Sequence, residues 1–250
     1  MSLRIMSQNV MCWGVEGESA LEMRRPLMKR AVIESGADVI GFQEVTPAWK
    51  EYFDKDLSDF ENYLVYRSEK SLEGTPIYWN PKRVKLLDKG HFWLSETPEV
   101  SSLGWDAACV RITCWALFRE KESGKSFAFV NTHLDHKGMT AQKKGIEQIC
   151  AFVRERFGAG MPLVLTGDFN APPDSEVIKT ANSLLCDSRF SARRTTDKPT
   201  FHGFGKCDPV TIDYIYLSKN ISCEKFEIVN IHQKQTFHSD HFGLISVVNI

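Results

Sequence analysis

Along this chain, short apolar runs with strand periodicity end repeatedly on a polar or charged residue. Leu3 to Val10 alternates apolar and polar side chains and carries Asn9 near its end; Val39-Ile40-Gly41-Phe42 stops at Gln43-Glu44. Phe127–Asn131 runs into His133, and Pro162–Leu165 runs into Gly167-Asp168-Phe169-Asn170. Asp213 opens a run over Ile212–Leu217, and Asp240-His241 opens another over His241–Val248. Helical spacing is confined to residues 18–35 (interrupted early by Pro26), Pro47–Leu57, Thr140–Phe157 and a segment near 175–185. Between them lie short β-like runs at Tyr63–Tyr66, Pro76–Trp79, Val84–Leu87 and Phe92–Leu94, split by Asn-Pro, Lys-Gly and Thr-Pro. Cys109 to Phe118 alternates strongly, and Glu122-Ser123-Gly124-Lys125 reads as the hairpin turn that follows. Residues 188–200 read as a polar loop containing arginines. Many strands with few long helices predict two packed sheets flanked by helices, with the polar strand ends as the place for chemistry.

Composition narrows the possibilities. The 250 residues are 42% hydrophobic, enough for a large core, and no repeat or linker divides them, so residues 1–250 are expected to form one domain. A net charge of -1 gives no support for a broad basic face of the kind that holds duplex DNA. Seven scattered cysteines without a Cys-x-x-Cys pair argue against a disulfide framework and a cysteine zinc site. The N-terminal residues lack a signal-like apolar stretch, and no run approaches the roughly 20 residues that span a bilayer. A reduced, cytoplasmic enzyme with no membrane association and no protein partner is the expectation.

Taken singly, each polar strand end has an ordinary reading. Asn-Thr-His can cap a strand, Asp-Phe-Asn before Pro172-Pro173 can shape a turn, and Ser239-Asp240-His241 can be an exposed turn. Taken together, Glu44, Asp168, Asp240 and Asn9 are hard oxygen donors, and three crowded carboxylates would repel one another without a cation. Mg²⁺ or Mn²⁺ suits that donor set better than zinc.

The elements Gln8-Asn9, Gln43-Glu44, Asn131-Thr132-His133-Leu134, Gly167-Asp168-Phe169-Asn170, Ile212-Asp213-Tyr214-Ile215 and Ser239-Asp240-His241 cover nearly the whole chain. In order and context they resemble the endonuclease/exonuclease/phosphatase superfamily, which spans DNase-like nucleases, deadenylases and inositol polyphosphate phosphatases. Phe92–Pro98 and Gly104–Ala107 are similar to an uncharacterised, mostly bacterial subgroup. The resemblance implies an α/β (α+β) fold, a four-layer α/β/β/α sandwich of two mixed, largely antiparallel sheets. It implies a metal site at Glu44, Asn9 and Asp240, with Asp168 orienting and deprotonating the attacking water and Asn170 holding that water or a phosphate oxygen. It implies that His241, bonded to Asp213, contacts the phosphate, and that His133, oriented by Glu73, makes a similar contact from the opposite side.

Two departures bear on substrate. DNase-like relatives carry a tyrosine where this chain has Ser71, and an arginine in the loop before the central strand, where this chain has Trp105-Asp106-Ala107-Ala108 and its nearest arginine, Arg111, reads as part of the strand. Trp93, Trp105 and Trp115 read as core, Phe201–Phe204 as a candidate substrate wall, and Lys143-Lys144 and Arg193-Arg194 as solvated faces. The leading expectation is a metal-dependent phosphodiesterase acting on a nucleotide or a short or single-stranded nucleic acid. Its alternative is a phosphomonoesterase of a small phosphorylated metabolite such as a sugar or inositol phosphate, and a non-catalytic phosphate-ligand binder is the separate-class reading.

Overall fold

A computed structural model describes residues 2–12, 17, 20–196 and 198–250. Two sheets face each other. The first runs in the order β10 (Arg194–Thr195), β12 (Ser222–Val229), β15 (Gly243–Asn249), β1 (Leu3–Asn9), β2 (Val39–Gln43), β4 (Ile77–Trp79) and β3 (Glu61–Tyr63). The second runs β5 (Val84–Trp93), β6 (Ile112–Glu120), β7 (Ser126–His133), β8 (Leu163–Asp168), β11 (Asp213–Leu217) and β9 (Cys186–Asp187). Each is mixed: β1–β2 and β10–β12 pair in parallel in the first and β7–β8 in the second, whereas the other neighbours are antiparallel. A small hairpin of β13 (His232–Gln233) and β14 (Thr236–Phe237) stands apart.

Helices α1 (Leu21–Ser35) and α2 (Pro47–Asp56) pack through Met28, Val32, Trp49 and Phe53 on the outer face of the first sheet. Helices α3 (Met139–Phe157) and α4 (Glu176–Leu184) cover the second through Ile146, Ile149, Val177 and Ile178, and α5 (Ser188–Ser191) is a single turn. A third core, with Ile5, Val39, Phe118, Phe127, Phe129 and Ile215, lies between the sheets. Three cores thus separate four layers, as the sequence resemblance implied.

The face that each central strand turns toward the other sheet changes character along its length. Successive side chains alternate sides, so β2 points Val39, Gly41 and Gln43 inward, and Ile40 and Phe42 toward the helices. On the same inward face Phe129 gives way to Asn131 and His133 in β7, and Val164 to Thr166 and Asp168 in β8. Hydrocarbon therefore fills one end of the inter-sheet layer and polar groups the other.

Asn131 joins the two halves. Its amide nitrogen donates to the carbonyls of Phe42 (2.7 Å) and Pro76 (3.0 Å) in the opposite sheet. Its oxygen accepts from Gln43 Nε2 (2.8 Å) and from Thr166 Oγ1 (3.0 Å). The sheets approach so closely here that a Cβ on Gly41 would overlap Thr166 Oγ1 and Asn131 Oδ1.

Several local readings are corrected. Pro26 does not interrupt α1: it lies on the exposed face near the helix start, where its missing N–H removes a single hydrogen bond; residues 18 and 19 of the expected helix lie outside the described residues. The runs at Val84–Leu87 and Phe92–Leu94 belong to one bulged strand, and Lys89-Gly90 lies inside it, where a Cβ on Gly90 would collide with the Trp115 ring. The expected strand at Tyr63–Tyr66 begins and ends earlier, at Glu61–Tyr63. The expected loop at 188–200 contains α5, the edge strand β10 and a buried Arg189.

Gly41→Ala is expected to destabilise the fold by about 1–3 kcal/mol through overpacking between the sheets. A denaturant midpoint equal to that of the parent chain would show that the layers can separate there freely.

Candidate active site

Strand register brings the polar ends together before any side-chain contact is considered. Asn9 lies opposite Gln43, and Asp168 lies between His133 on one side and Asp213 on the other. Across the gap, Asn9 Nδ2 donates to Glu44 Oε1 (3.1 Å) and Asp168 Oδ2 (3.0 Å), linking one sheet to the other. Three residues at the strand tips adopt left-handed backbone: Met11 (φ 60°), Glu44 (φ 65°) and Asn170 (φ 49°). Such positions carry strain of order 1–3 kcal/mol and persist where surrounding bonds hold them.

Those bonds are visible. Arg24, fully buried on α1, donates to the carbonyls of Val10 (2.6 Å) and Met11 (3.0 Å), and Trp49 Nε1 donates to Met11 as well (3.1 Å). Burial draws the Arg24 guanidinium down to about 10, against the pull of Asp240 and Glu44, so it remains charged at neutral pH. The Met11–Cys12 turn then presents the Cys12 N–H to Glu44 Oε2 at 2.7 Å.

Nine residues stood out in the sequence, and the fold gathers all nine at one edge of the sheets. Glu44, Glu73, His133, Asp168, Asn170, Asp240 and His241 line a cavity of about 320 Å³, with Asn9 beneath it. Asp213 is buried behind His241 and bonds its Nδ1 at 2.9 Å. The Asp168 backbone ends β8, and Asn170 then turns back rather than continuing an extended segment, while Phe169 points into the core below α3 and α4. The Asn170 N–H caps Asp168 Oδ1 at 2.9 Å.

The electrostatics are uneven. Burial and the neighbouring Asp213 charge push Asp168 up to about 7, with His241 acting against them. Burial also opposes the charge on His241, but Asp213, then Asp168 and Asp240, override it and raise its pKa well above the ordinary value. Burial works against Glu44 too, yet hydrogen bonds from Cys12 and Asn9 hold its carboxylate below the usual range. Asp240 is raised by burial and by the Glu44 charge.

His133 departs from the pattern that the sequence suggested. Glu73 Oε1 is 3.9 Å from His133 Nδ1, too far for a hydrogen bond, and that nitrogen has no partner. Both Glu73 oxygens are taken by Arg67, at 2.9 Å from Nη1 and 2.8 Å from Nη2. On the other side the Asn170 amide nitrogen lies 3.1 Å from the Leu134 carbonyl, which fixes it as a donor, and 3.0 Å from His133 Nε2. His133 Nε2 therefore accepts, and its proton sits on Nδ1. Burial, then Arg111, His241 and Arg67, hold its pKa well below the ordinary value. The two histidines are unequal: His241 is an imidazolium and His133 a neutral ring.

Asn9 also differs from a simple ligand. Its oxygen accepts from the Met11 N–H (2.9 Å) and its nitrogen faces the carboxylates, so it orients Glu44 and Asp168. Glu44, half-buried, and Asp240, buried, are carboxylates whose mutual repulsion a divalent cation would relieve. The compact group Asp168, Asp213 and His241 is a poorer cation site, because a protonated His241 has no lone pair to give.

Arg67, Arg111 and Cys12 line the cavity and were not among the expected site residues. Arg111 lies just before β6 rather than within it, 3.6 Å from Asp135 Oδ2 and 3.2 Å from His136 Nδ1. Asp135 in turn takes N–H groups from Ala108, Cys109, Lys137 and Gly138 and so shapes the loop that delivers Arg111. Phe201 forms another part of the wall, whereas Phe204 lies over Arg24. Arg193 is exposed just before the edge strand β10, and Arg194 is exposed within it. The seven cysteines are free, and no helix of the described residues is long and apolar enough to cross a membrane.

Comparison with known proteins agrees with the fold. A structure of an endonuclease/exonuclease/phosphatase from Bacteroides vulgatus matches with a TM-score of 0.93 at 28% identity, covering 100% of this chain and 99% of that one. A mannosyl-6-phosphatase of Bacteroides thetaiotaomicron matches with a TM-score of 0.89 at 26% identity over 100% of both chains. An uncharacterised protein of Acanthamoeba polyphaga mimivirus is 28% identical over 90% of this chain and 91% of its own length. The model of the Endonuclease/Exonuclease/phosphatase family matches residues 25–241, and the chain belongs to that family.

Proposed function

We propose that residues 1–250 form one catalytic domain that hydrolyses phosphate monoesters of small hydroxylated compounds, using a divalent cation such as Mg²⁺ or Mn²⁺. The observation that carries this reading is the cavity. At about 320 Å³ it is of the size of a small-ligand site, and Arg111 and the His241 imidazolium face its acidic centre. A monoester dianion brings more negative charge than a diester and gains more from such walls. The likeness to a mannosyl-6-phosphatase supports the same reading.

Glu44 and Asp240 are the residues to hold the cation, with Asn9 beside them. When bound, the cation polarises the phosphoryl group and offsets the charge that develops on its oxygens. Asp168, with a pKa near neutrality, takes the proton of the attacking water. Asn170 caps one oxygen of Asp168, leaving the other to face Asn9, His133 and His241. His241 presents its Nε2–H to a phosphoryl oxygen, its charge maintained by Asp213. His133, neutral and bonded to Asn170, fixes the position of that amide rather than supplying a second charge.

Hydrolysis of a nucleotide diester is the second reading. The Phe201 ring, 4.8 Å from the His241 ring by centroid, offers an aromatic face of the kind on which a base stacks.

Three outcomes are expected. With Mg²⁺ the protein turns over p-nitrophenyl phosphate faster than its bis-p-nitrophenyl diester, and exhaustive chelation removes the activity; a preference for the diester would favour the second reading. Asp168→Ala and His241→Ala each lower kcat by orders of magnitude with little change in Tm, and full activity in either would remove that residue from the mechanism. Asp213→Asn lowers the pKa of His241 in the metal-free protein, read from ring-proton NMR shifts against pH. The carboxylate that now favours the imidazolium would be gone. An unchanged titration would mean that Asp213 does not set the charge.

A further inference from the structure

Among the residues that line the cavity, Arg67 has a geometry that the proposed chemistry does not use. Its guanidinium forms a fork on Glu73 at 2.8 and 2.9 Å, and its Nε donates to Ser71 Oγ at 2.9 Å. Each Nη thus keeps a second N–H. The backbone beneath is pinned as well: Trp93 Nε1 (2.8 Å) and Ser101 Oγ (2.7 Å) both donate to the Arg67 carbonyl, and the Arg67 N–H donates to Glu73 O (2.8 Å). The pair is held rigidly and forms part of the cavity wall.

Its charge balance matters. Arg67 and Glu73 neutralise each other, so this stretch of wall offers N–H donors and carboxylate lone pairs with no net charge. It would not attract a second phosphate strongly, but it matches adjacent hydroxyl groups, which donate and accept at once. Glu73 is free for this role because His133 does not depend on it: His133 is fixed through Nε2 by Asn170.

Resting on the monoesterase reading above, we infer that the Arg67–Glu73 pair is the subsite for the leaving group, binding the hydroxyls of an uncharged polyol such as a sugar. Arg67 is then a specificity-determining residue, and its contribution belongs to substrates that carry those hydroxyls.

The test compares glucose 6-phosphate with p-nitrophenyl phosphate, which has no hydroxyls to bind, in the parent protein with Mg²⁺ and in Arg67→Lys and Arg67→Met. Lysine keeps the charge beside Glu73 but loses the fork; methionine loses both. In each variant kcat/KM for the sugar phosphate is expected to fall about 10- to 100-fold further than for p-nitrophenyl phosphate, mainly through KM, as for lost hydrogen bonds to a charged donor. A Tm measurement accompanies each variant. Equal losses on the two substrates would assign Arg67 a purely structural role and overturn the inference while leaving the monoesterase reading intact. An unchanged ratio with no loss on either would overturn it too. Failure of the parent protein to hydrolyse either monoester would overturn both.

Discussion

The hydrogen-bonding capacity of the buried Asn131 side chain is fully used, three of its four bonds crossing to the other sheet and the fourth, to Thr166, tying it to the neighbouring strand of its own. It binds two carbonyls of the opposite sheet through its nitrogen and Gln43 and Thr166 through its oxygen. A buried amide left unpaired costs about 1–3 kcal/mol, so this arrangement tolerates little displacement of one sheet relative to the other. Everything above it inherits that precision. Asn9, from the first sheet, can meet Asp168, from the second, within hydrogen-bond distance only because the layer beneath fixes their separation.

From that platform upward, charge is organised by contrast. Two carboxylates on neighbouring strands, Asp168 and Asp213, face one histidine, His241, and the charge is divided unequally between them. Asp213 favours the imidazolium, while Asp168 is lifted toward neutrality, as the proposed role of base requires. His133 is also buried beside Asp168 yet stays neutral, since burial disfavours its charge and Arg111, His241 and Arg67 add to that effect. Arg24 stiffens the Met11 turn below and adds a positive field facing Glu44 and Asp240. The site thus combines an imidazolium, a carboxylate raised toward neutrality and a pair of carboxylates whose mutual repulsion an added cation would relieve.

Much of this was legible in the sequence for a simple reason. Strands alternate, so an apolar run that ends in Gln-Glu, His or Asp-Phe-Asn shows which side chains share the inward face, and parallel or antiparallel pairing then collects them at one edge. Those positions lie within residues 25–241, over which the family model matches. What escaped was set by contacts distant in sequence. Arg24 and Arg67 carry no local pattern; their importance depends on which carbonyls and carboxylates the fold places next to them. The capture of Glu73 by Arg67, which removes it from His133, is likewise a matter of angstroms that spacing cannot convey. Gly90 reads as a turn until the Trp115 ring that excludes a side chain there is in view. The strand β12 was missed because its alternation is weak and a bulge after Cys223 shifts its register.

The central claim is that water, activated beside Asp168, attacks phosphorus in this cavity. It is tested most directly by hydrolysing a phosphate monoester in water enriched in oxygen-18 and locating the label. Attack at phosphorus places the isotope in inorganic phosphate and none in the released alcohol. Label in the alcohol would mean that the bond to carbon breaks, and that the arrangement of Asp168, His241 and Asp213 serves some other chemistry.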